Sequence, residues 1–259
     1  MKNLIALLVA MIAASASAAS PVLIPTLYAG PGAFGTRWNT AVVLNNHTTA
    51  DFRSPGVTFG IICFIPEGCR SDTIPAGGFG DIASPHAANG LLLYLPDDQT
   101  DISFMARFAA SPRNTLAGGT ELPVVREREF SRRALHLPYV PVSWEGTPLR
   151  TTLRIYGPDV QPGTAVRVEL RSWTDLEGQP IASKVVELGI PSQPAAGTIY
   201  PAFAQLNLQD DFGPAVSAAV YHNVTVVPLP LPSGELPRIW AFLTITNNDT
   251  QEVTVQRPQ

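Results

Sequence analysis

An all-β fold of two tandem immunoglobulin-like β-sandwich domains, behind an N-terminal signal peptide, is the class this sequence predicts, and three observations predict it. Pro (25) and Gly (20) are abundant while 45% of the chain is hydrophobic, a composition of short strands and turns rather than of helices or disorder. Apolar runs rich in β-branched and aromatic residues recur roughly every ten residues between turn-forming clusters. One stretch also occurs twice: Gly35-Thr36-Arg37-Trp38-Asn39-Thr40 opening a strand-like run to Asn46 is echoed by Gly146-Thr147-Pro148-Leu149-Arg150-Thr151 running to Gly157, with the Gly-Thr turns 111 residues apart.

Two further landmarks keep the order of that repeat. Asp97-Asp98 ahead of Ile102 to Arg107 is matched by Asp210-Asp211 ahead of Ala215 to Val220, at an offset of 113, and Glu121-Leu122-Pro123 by Glu235-Leu236-Pro237, at 114. Collinear landmarks with nearly constant offset predict a duplicated unit of immunoglobulin-domain size. The expected organisation is a leader over residues 1–18, a first sandwich over 20–130 and a second over 131–259.

The leader reads from its three parts. Lys2 supplies the positive start, Leu4 to Ala14 an apolar run, and Ala16-Ser17-Ala18 a small-residue cleavage pattern, as in a secretory signal peptide. The apolar run is shorter than the roughly 20 residues that span a bilayer. The expected mature chain is therefore exported, secreted or periplasmic, with no membrane span after cleavage.

Taken in order, Pro21 to Tyr28 predicts an edge strand at best, because its prolines cannot donate to a ladder. Strands follow at Trp38 to Leu44, Val57 to Ile65, Leu91 to Leu95, Ile102 to Phe108 and Glu121 to Val125. The alternating charges of Arg126 to Arg133 predict a solvated connector. Ala134 to Tyr139 is a second Pro-interrupted edge. Leu149 to Tyr156, Ala165 to Trp173, Ala182 to Leu188, Ala215 to Tyr221, Ile239 to Thr246 and Glu252 to Val255 then read as strands, with Asn247 to Thr250 as a hairpin turn. The alternation Val166-Arg167-Val168-Glu169-Leu170-Arg171 predicts one buried and one wet face. Trp38, Trp173 and Trp240 fall in strands and are expected in the core.

Cys63 and Cys69, the two cysteines, enclose Pro66 and Gly68. In an oxidising compartment this spacing predicts a disulfide across a tight hairpin. It lacks the C-x-x-C spacing of a redox pair, and two thiols without nearby histidine do not complete a zinc shell.

Gly35 to Thr40, Cys63 to Cys69, Gly119-Thr120-Glu121-Leu122-Pro123-Val124-Val125-Arg126-Glu127, and Trp240-Ala241-Phe242 with Thr244 to Asn248 together resemble a group of uncharacterised secreted bacterial proteins built of one or two immunoglobulin-like β-sandwich units. The resemblance implies a fold and an exported location. It brings no catalytic residues.

The sequence excludes more chemistry than it offers. Charged residues are 15% of the chain, at a net charge of −4 and without a basic cluster, so nucleic acid is not an expected partner. Nucleotide-binding, hydrolase-elbow, zinc-protease and EF-hand motifs are missing, and His47, His86, His136 and His222 are scattered. No cofactor and no metal centre are expected. Asp97, Asp98 and Asp101, with Asp210 and Asp211, form the best polar constellation: oxygen-rich loops of this kind hold Ca²⁺, although Asp before a strand also serves simply to bond local backbone. Trp144, in a predicted loop, is a candidate for stacking on a sugar or a partner protein. Asn46, Asn223 and Asn248 begin N-x-T sequons. The functional expectation is a non-enzymatic exported protein that binds, adheres or scaffolds at or outside the cell envelope, its partner a protein or glycan. The alternatives are a carbohydrate-binding or hydrolytic module with its site on the sandwich-end loops, and a chaperone-like protein that lends an edge strand.

Overall fold

The computed structural model describes residues 20–31, 37–54, 59–61, 69–82, 89–95, 101–111, 119–144, 147–158, 162–175, 178–189, 200–217 and 219–259. In the first half of the chain the strands are β1 (Ser20–Ile24), β2 (Ala29–Pro31), β3 (Arg37–Asn46), β4 (Phe52–Arg53), β5 (Phe59–Ile61), β6 (Cys69–Ser71), β7 (Thr73–Ile74), β8 (Phe79–Ile82), β9 (Leu91–Leu95), β10 (Ile102–Ser111), β11 (Thr120–Leu122) and β12 (Val125–Arg126). The second half adds β13 (Leu135–Pro141), β14 (Ser143–Trp144), β15 (Thr147–Gly157), β16 (Ala165–Ser172), β17 (Ala182–Glu187), β18 (Ala202–Asn207), β19 (Tyr221–Pro228), β20 (Trp240–Asn247) and β21 (Val253–Gln256), with two short helices, α1 (Leu208–Phe212) and α2 (Pro214–Ser217). The chain is thus all-β, and every described pairing between strands is antiparallel.

The sheets stack as in a sandwich. In the first half, β12-β1-β9 lies against the larger sheet β11-β10-β3-β8-β5-β6, with β2 on β3 and a β4-β7 ribbon beside them. In the second half, β13-β19-β16-β17 faces β14-β15-β20-β21, with β18 on the free side of β15. Strand β3 shows why: its burial alternates residue by residue from Trp38 to Asn46, so one face is committed to an interior. Strands β1 and β9 are instead buried at nearly every position, which requires cover on both faces of their sheet.

Buried apolar side chains form two clusters. One is drawn wholly from the second half, with Leu153, Ile155, Val168, Leu170, Val226 and Leu243 among its members. The other gathers Val22, Leu23, Leu44, Leu92, Leu93 and Ile102 of the first half, and Tyr156, Trp240 and Phe242 of the second half join it. The halves are also tied by hydrogen bonds from Tyr156 Oη to the Pro25 carbonyl (3.1 Å) and from Thr120 Oγ1 to the Val253 carbonyl (2.6 Å).

Several expectations need correction. The segment beginning at Pro21 is no edge: β1 is the central strand of its sheet, pairing β9 from Ser20 to Ile24 and β12 at Val22 and Leu23 only. Pro21 therefore faces a strand on one side alone, where its missing donor costs little. The second Pro-interrupted strand, β13, does lie at an edge, with a register shift between Leu137 and Val140. The strand expected over Ala215 to Tyr221 is instead helical over Pro214–Ser217. Asn207 caps α1 by accepting from the Gln209 amide, Gly213 takes φ 51° to end it, and Pro214 opens α2, as proline does at a first helical position. Strand β19 starts only at Tyr221.

Of the three sequence landmarks, the first falls in long strands of both halves, while the described parts of the other two fall on unlike elements. Strands β3 and β15 are both long central strands, but β10 has its counterpart in β20: β10 pairs β3 from Arg37 to Asn46, and β20 pairs β15 from Leu149 to Tyr156. Ala215 to Val220 and Glu235 to Pro237 occupy helix and loop instead.

Candidate functional site

Side chains two apart on a strand share a face, so Arg150, Thr152, Arg154 and Tyr156 of β15 point the same way. Cross-strand register completes that face in rows. Arg150 lies opposite Thr246, Thr152 between Thr244 and Asn207, Arg154 between Phe242 and Gln205, and Tyr156 between Trp240 and Phe203. One end of the face is polar and the other aromatic.

The aromatic end is what docks on the first half. Tyr156 is fully buried, with Phe203, Phe242 and Trp240 at ring-centroid distances of 5.2, 6.2 and 6.3 Å. Burial raises the Tyr156 hydroxyl well above its ordinary value. The polar end is left open. Across from it, Trp38 of β3 and Phe108 of β10 stack at 4.6 Å with their planes 5° apart, and Thr26, Tyr28, Pro31 and Asn89 complete the wall. The gap between the two faces is a groove of about 380 Å³, within the size range of small-molecule sites.

The groove is cationic. Arg154 Nη1 donates to Thr244 Oγ1 (2.7 Å), and its guanidinium carbon stands 5.8 Å from the Phe242 ring centre. Burial above all holds Arg154 below its ordinary pKa; the Tyr156 hydroxyl opposes that shift and Arg150 reinforces it. Among the described residues neither arginine has a carboxylate partner, and no Asp or Glu lines the groove. The remainder of the lining is hydroxyl and amide: Thr26, Thr152, Thr244, Thr246, Asn89, Gln205 and Asn207.

The residues singled out from sequence lie elsewhere. Asp97, Asp98 and Cys63 are outside the described residues; Cys69 belongs to β6, with its side chain outside the description. Asp101 is an exposed turn residue whose carbonyl accepts from the His47 amide (2.9 Å). Asp210 and Asp211 sit in α1 rather than in a loop. Asp211 pairs with Lys184 at 2.6 Å and accepts from the Asn207 amide at 2.8 Å, so both its oxygens serve to hold α1 against β17 and β18. Among the described residues no three His, Cys, Asp or Glu side chains gather as a metal site. Trp144 is in β14, hydrogen-bonded to β15, and not in a loop.

Other side chains depart from expectation. Trp173 is 46% exposed and 6.4 Å from the exposed Tyr139, which has φ 54°; Trp38 and Trp240 are buried as expected. The charged run is engaged rather than merely solvated. Arg126 Nη2 donates to the Ile102 carbonyl (2.6 Å), Glu127 pairs with Arg238 (2.7 Å), and Ser131 bridges Ile239. His47 meets Ser103 Oγ at 3.0 Å and His136 meets Thr225 Oγ1 at 3.2 Å. Two of the sequons are closed to modification in the folded chain: Asn46 is 1% and Asn223 2% exposed.

Sequence reasoning missed Arg150, Arg154, Gln205 and Asn207. The signal was present only as the polar alternation within Leu149 to Tyr156, which reads equally as a wet strand face. What turns it into a groove wall is a set of first-half residues, Thr26, Tyr28, Pro31 and Trp38 with Asn89 and Phe108, remote from it in sequence.

By fold this is an all-β protein of stacked antiparallel sheets with an arginine-lined groove between its halves. No protein-family model, curated protein or solved structure matches the chain, so the groove itself is what bears on function. No helix among the described residues is long and apolar enough to cross a membrane.

Proposed function

We propose that this chain is an exported, non-enzymatic binding protein of two immunoglobulin-like sandwich units, acting in adhesion or scaffolding at or outside the cell envelope and taking its ligand in the groove between its halves. Export rests on Lys2, the apolar run Leu4 to Ala14 and Ala16-Ser17-Ala18; the Cys63–Cys69 disulfide belongs to the same reading. The observation that carries the binding role is the groove of about 380 Å³, where polar and aromatic side chains from both halves converge without filling the space. Hydrolysis by paired carboxylates has no support in that lining.

The test is a screen of the intact chain on glycan and envelope-protein arrays, repeated with Gln205→Trp. Gln205 is exposed at the groove, so an indole there fills the space without disturbing a core. The expected outcome is at least one bound ligand, lost in Gln205→Trp. A ligand bound equally by both proteins places the binding surface elsewhere.

A further inference from the structure

Resting on that reading of the groove, we infer that its ligand is an anionic oligosaccharide, a chain of sugar rings carrying carboxylate or sulfate groups. Two arginines supply the charge recognition. Arg154 spends one donor on Thr244, and its guanidinium has five; the Arg150 side chain makes no hydrogen bond or ion pair to the described residues, and both line the groove. An arginine with no acidic partner among the described residues, in a groove whose described lining is hydroxyl, amide and aromatic, is suited to pairing with an anion brought by a ligand. Because the chain as a whole carries net charge −4, no long-range field gathers anions here. The attraction is local to these two side chains.

The rest of the lining selects the body of the ligand. Threonine hydroxyls and side-chain amides both donate and accept, and Thr152, Thr244, Thr246, Gln205 and Asn207 present them around the arginines. That matches a ligand dense in hydroxyls rather than an acyl chain or a bare inorganic anion. Phe108, half-buried and backed by the stacked, buried Trp38, gives one wall an apolar surface against which the C–H face of a sugar ring packs. Arg150 and Arg154 are four residues apart along β15, about 13 Å at about 3.3 Å per residue. Two cations at that spacing suit anions repeated along an oligomer better than a single acidic group.

Titration calorimetry on the intact chain with three tetrasaccharides tests the inference: oligogalacturonate, its neutral galactose counterpart, and a sulfated galactose oligomer. The expected result is binding of at least one acidic oligomer, at least tenfold tighter than the neutral one. That binding weakens as salt rises, and Arg150→Gln and Arg154→Gln each reduce it at least tenfold. Which acidic oligomer binds more tightly tells carboxylate from sulfate. The Arg150 side chain makes no hydrogen bond or ion pair to the described residues, so its variant remains informative if Arg154→Gln fails to fold. Equal affinity for neutral and acidic oligomers, unchanged affinity in Arg150→Gln, or no binding of either acidic oligomer overturns the anionic assignment. The groove reading then still stands if some other ligand binds and is lost in Gln205→Trp, and falls if that variant binds it unchanged.

Discussion

Glu169 shows how far a single side chain can depart from its place in a sequence pattern. Its position in β16 is on the face that alternation marks as wet, yet it is buried, because Arg167 (2.7 Å) and Arg171 (2.6 Å) fold over it. Burial alone pushes its carboxyl up, but hydrogen bonds from Arg171 and Arg167 outweigh burial and hold it below the ordinary value. A carboxyl depressed in the native state contributes stability above the ordinary carboxylate range, and that contribution is lost as pH falls through the depressed value. Glu169→Gln is therefore expected to lose about 2 kcal/mol at neutral pH, as Arg167 and Arg171 lose the charged acceptor they share, and to flatten the acid side of the stability profile. Urea denaturation of both proteins from pH 7 down to pH 3 checks both effects. Residue types alone could not foretell this: Arg-Val-Glu-Leu-Arg reads as a solvated rail until burial is known. Arg150 and Arg154 escaped notice for the same reason.

At the scale of elements, strands with strong period-two patterns or unbroken apolar runs were legible. Leu91 to Leu95 is β9 residue for residue, and β3, β10, β15, β16 and β20 fall within a few residues of their expected ends. What misled was chemistry acting across distance or against the grain of composition. Ala215 to Val220 is apolar enough for a strand, but the Asn207 cap, Gly213 at positive φ and Pro214 at a helix start outweigh a short run of small residues. Proline in Pro21 to Tyr28 suggested an edge, although only one side of β1 needs donors at that point. Gly90, leading into β9, is an element boundary with no freedom to change. Its φ is 149°, and a Cβ there would sit 3.0 Å from Tyr156 Cε1 and 3.1 Å from Pro201 Cγ. Gly90→Ala is expected to cost about 2 kcal/mol, from a backbone region closed to other residues and from the clash, read as a lower urea midpoint with an unchanged slope.

For the whole molecule, all-β character and stacked sheets follow from composition and turn spacing. The dependence of one core on the other half does not, since Tyr156, Trp240 and Phe242 look like interior residues of their own sheets. That sharing has a thermodynamic reading. The first-half cluster cannot keep its cover once β15 and β20 unravel, so heating is expected to give one calorimetric transition rather than two. Tyr156→Ala removes the shared ring and its bond to Pro25; it is expected to lower the first-half transition and split the endotherm. A native protein that already melts in two separate steps would show that the shared aromatics do not couple the halves.

Among the described residues, strand β17 closes the β13-β19-β16-β17 sheet and pairs on one side only, so its outer row of backbone donors and acceptors has no described strand beside it. Val185 on it is 61% exposed, which adds stickiness to the open border. Lys184, held by Asp211 at 2.6 Å, guards that border, because stacking a second copy there would bring like ammonium groups together in a drying interface. Lys184→Val removes the guard, and thioflavin fluorescence during incubation is expected to rise sooner than in the native protein. One lysine then separates a bordered sheet from the first layer of a fibre.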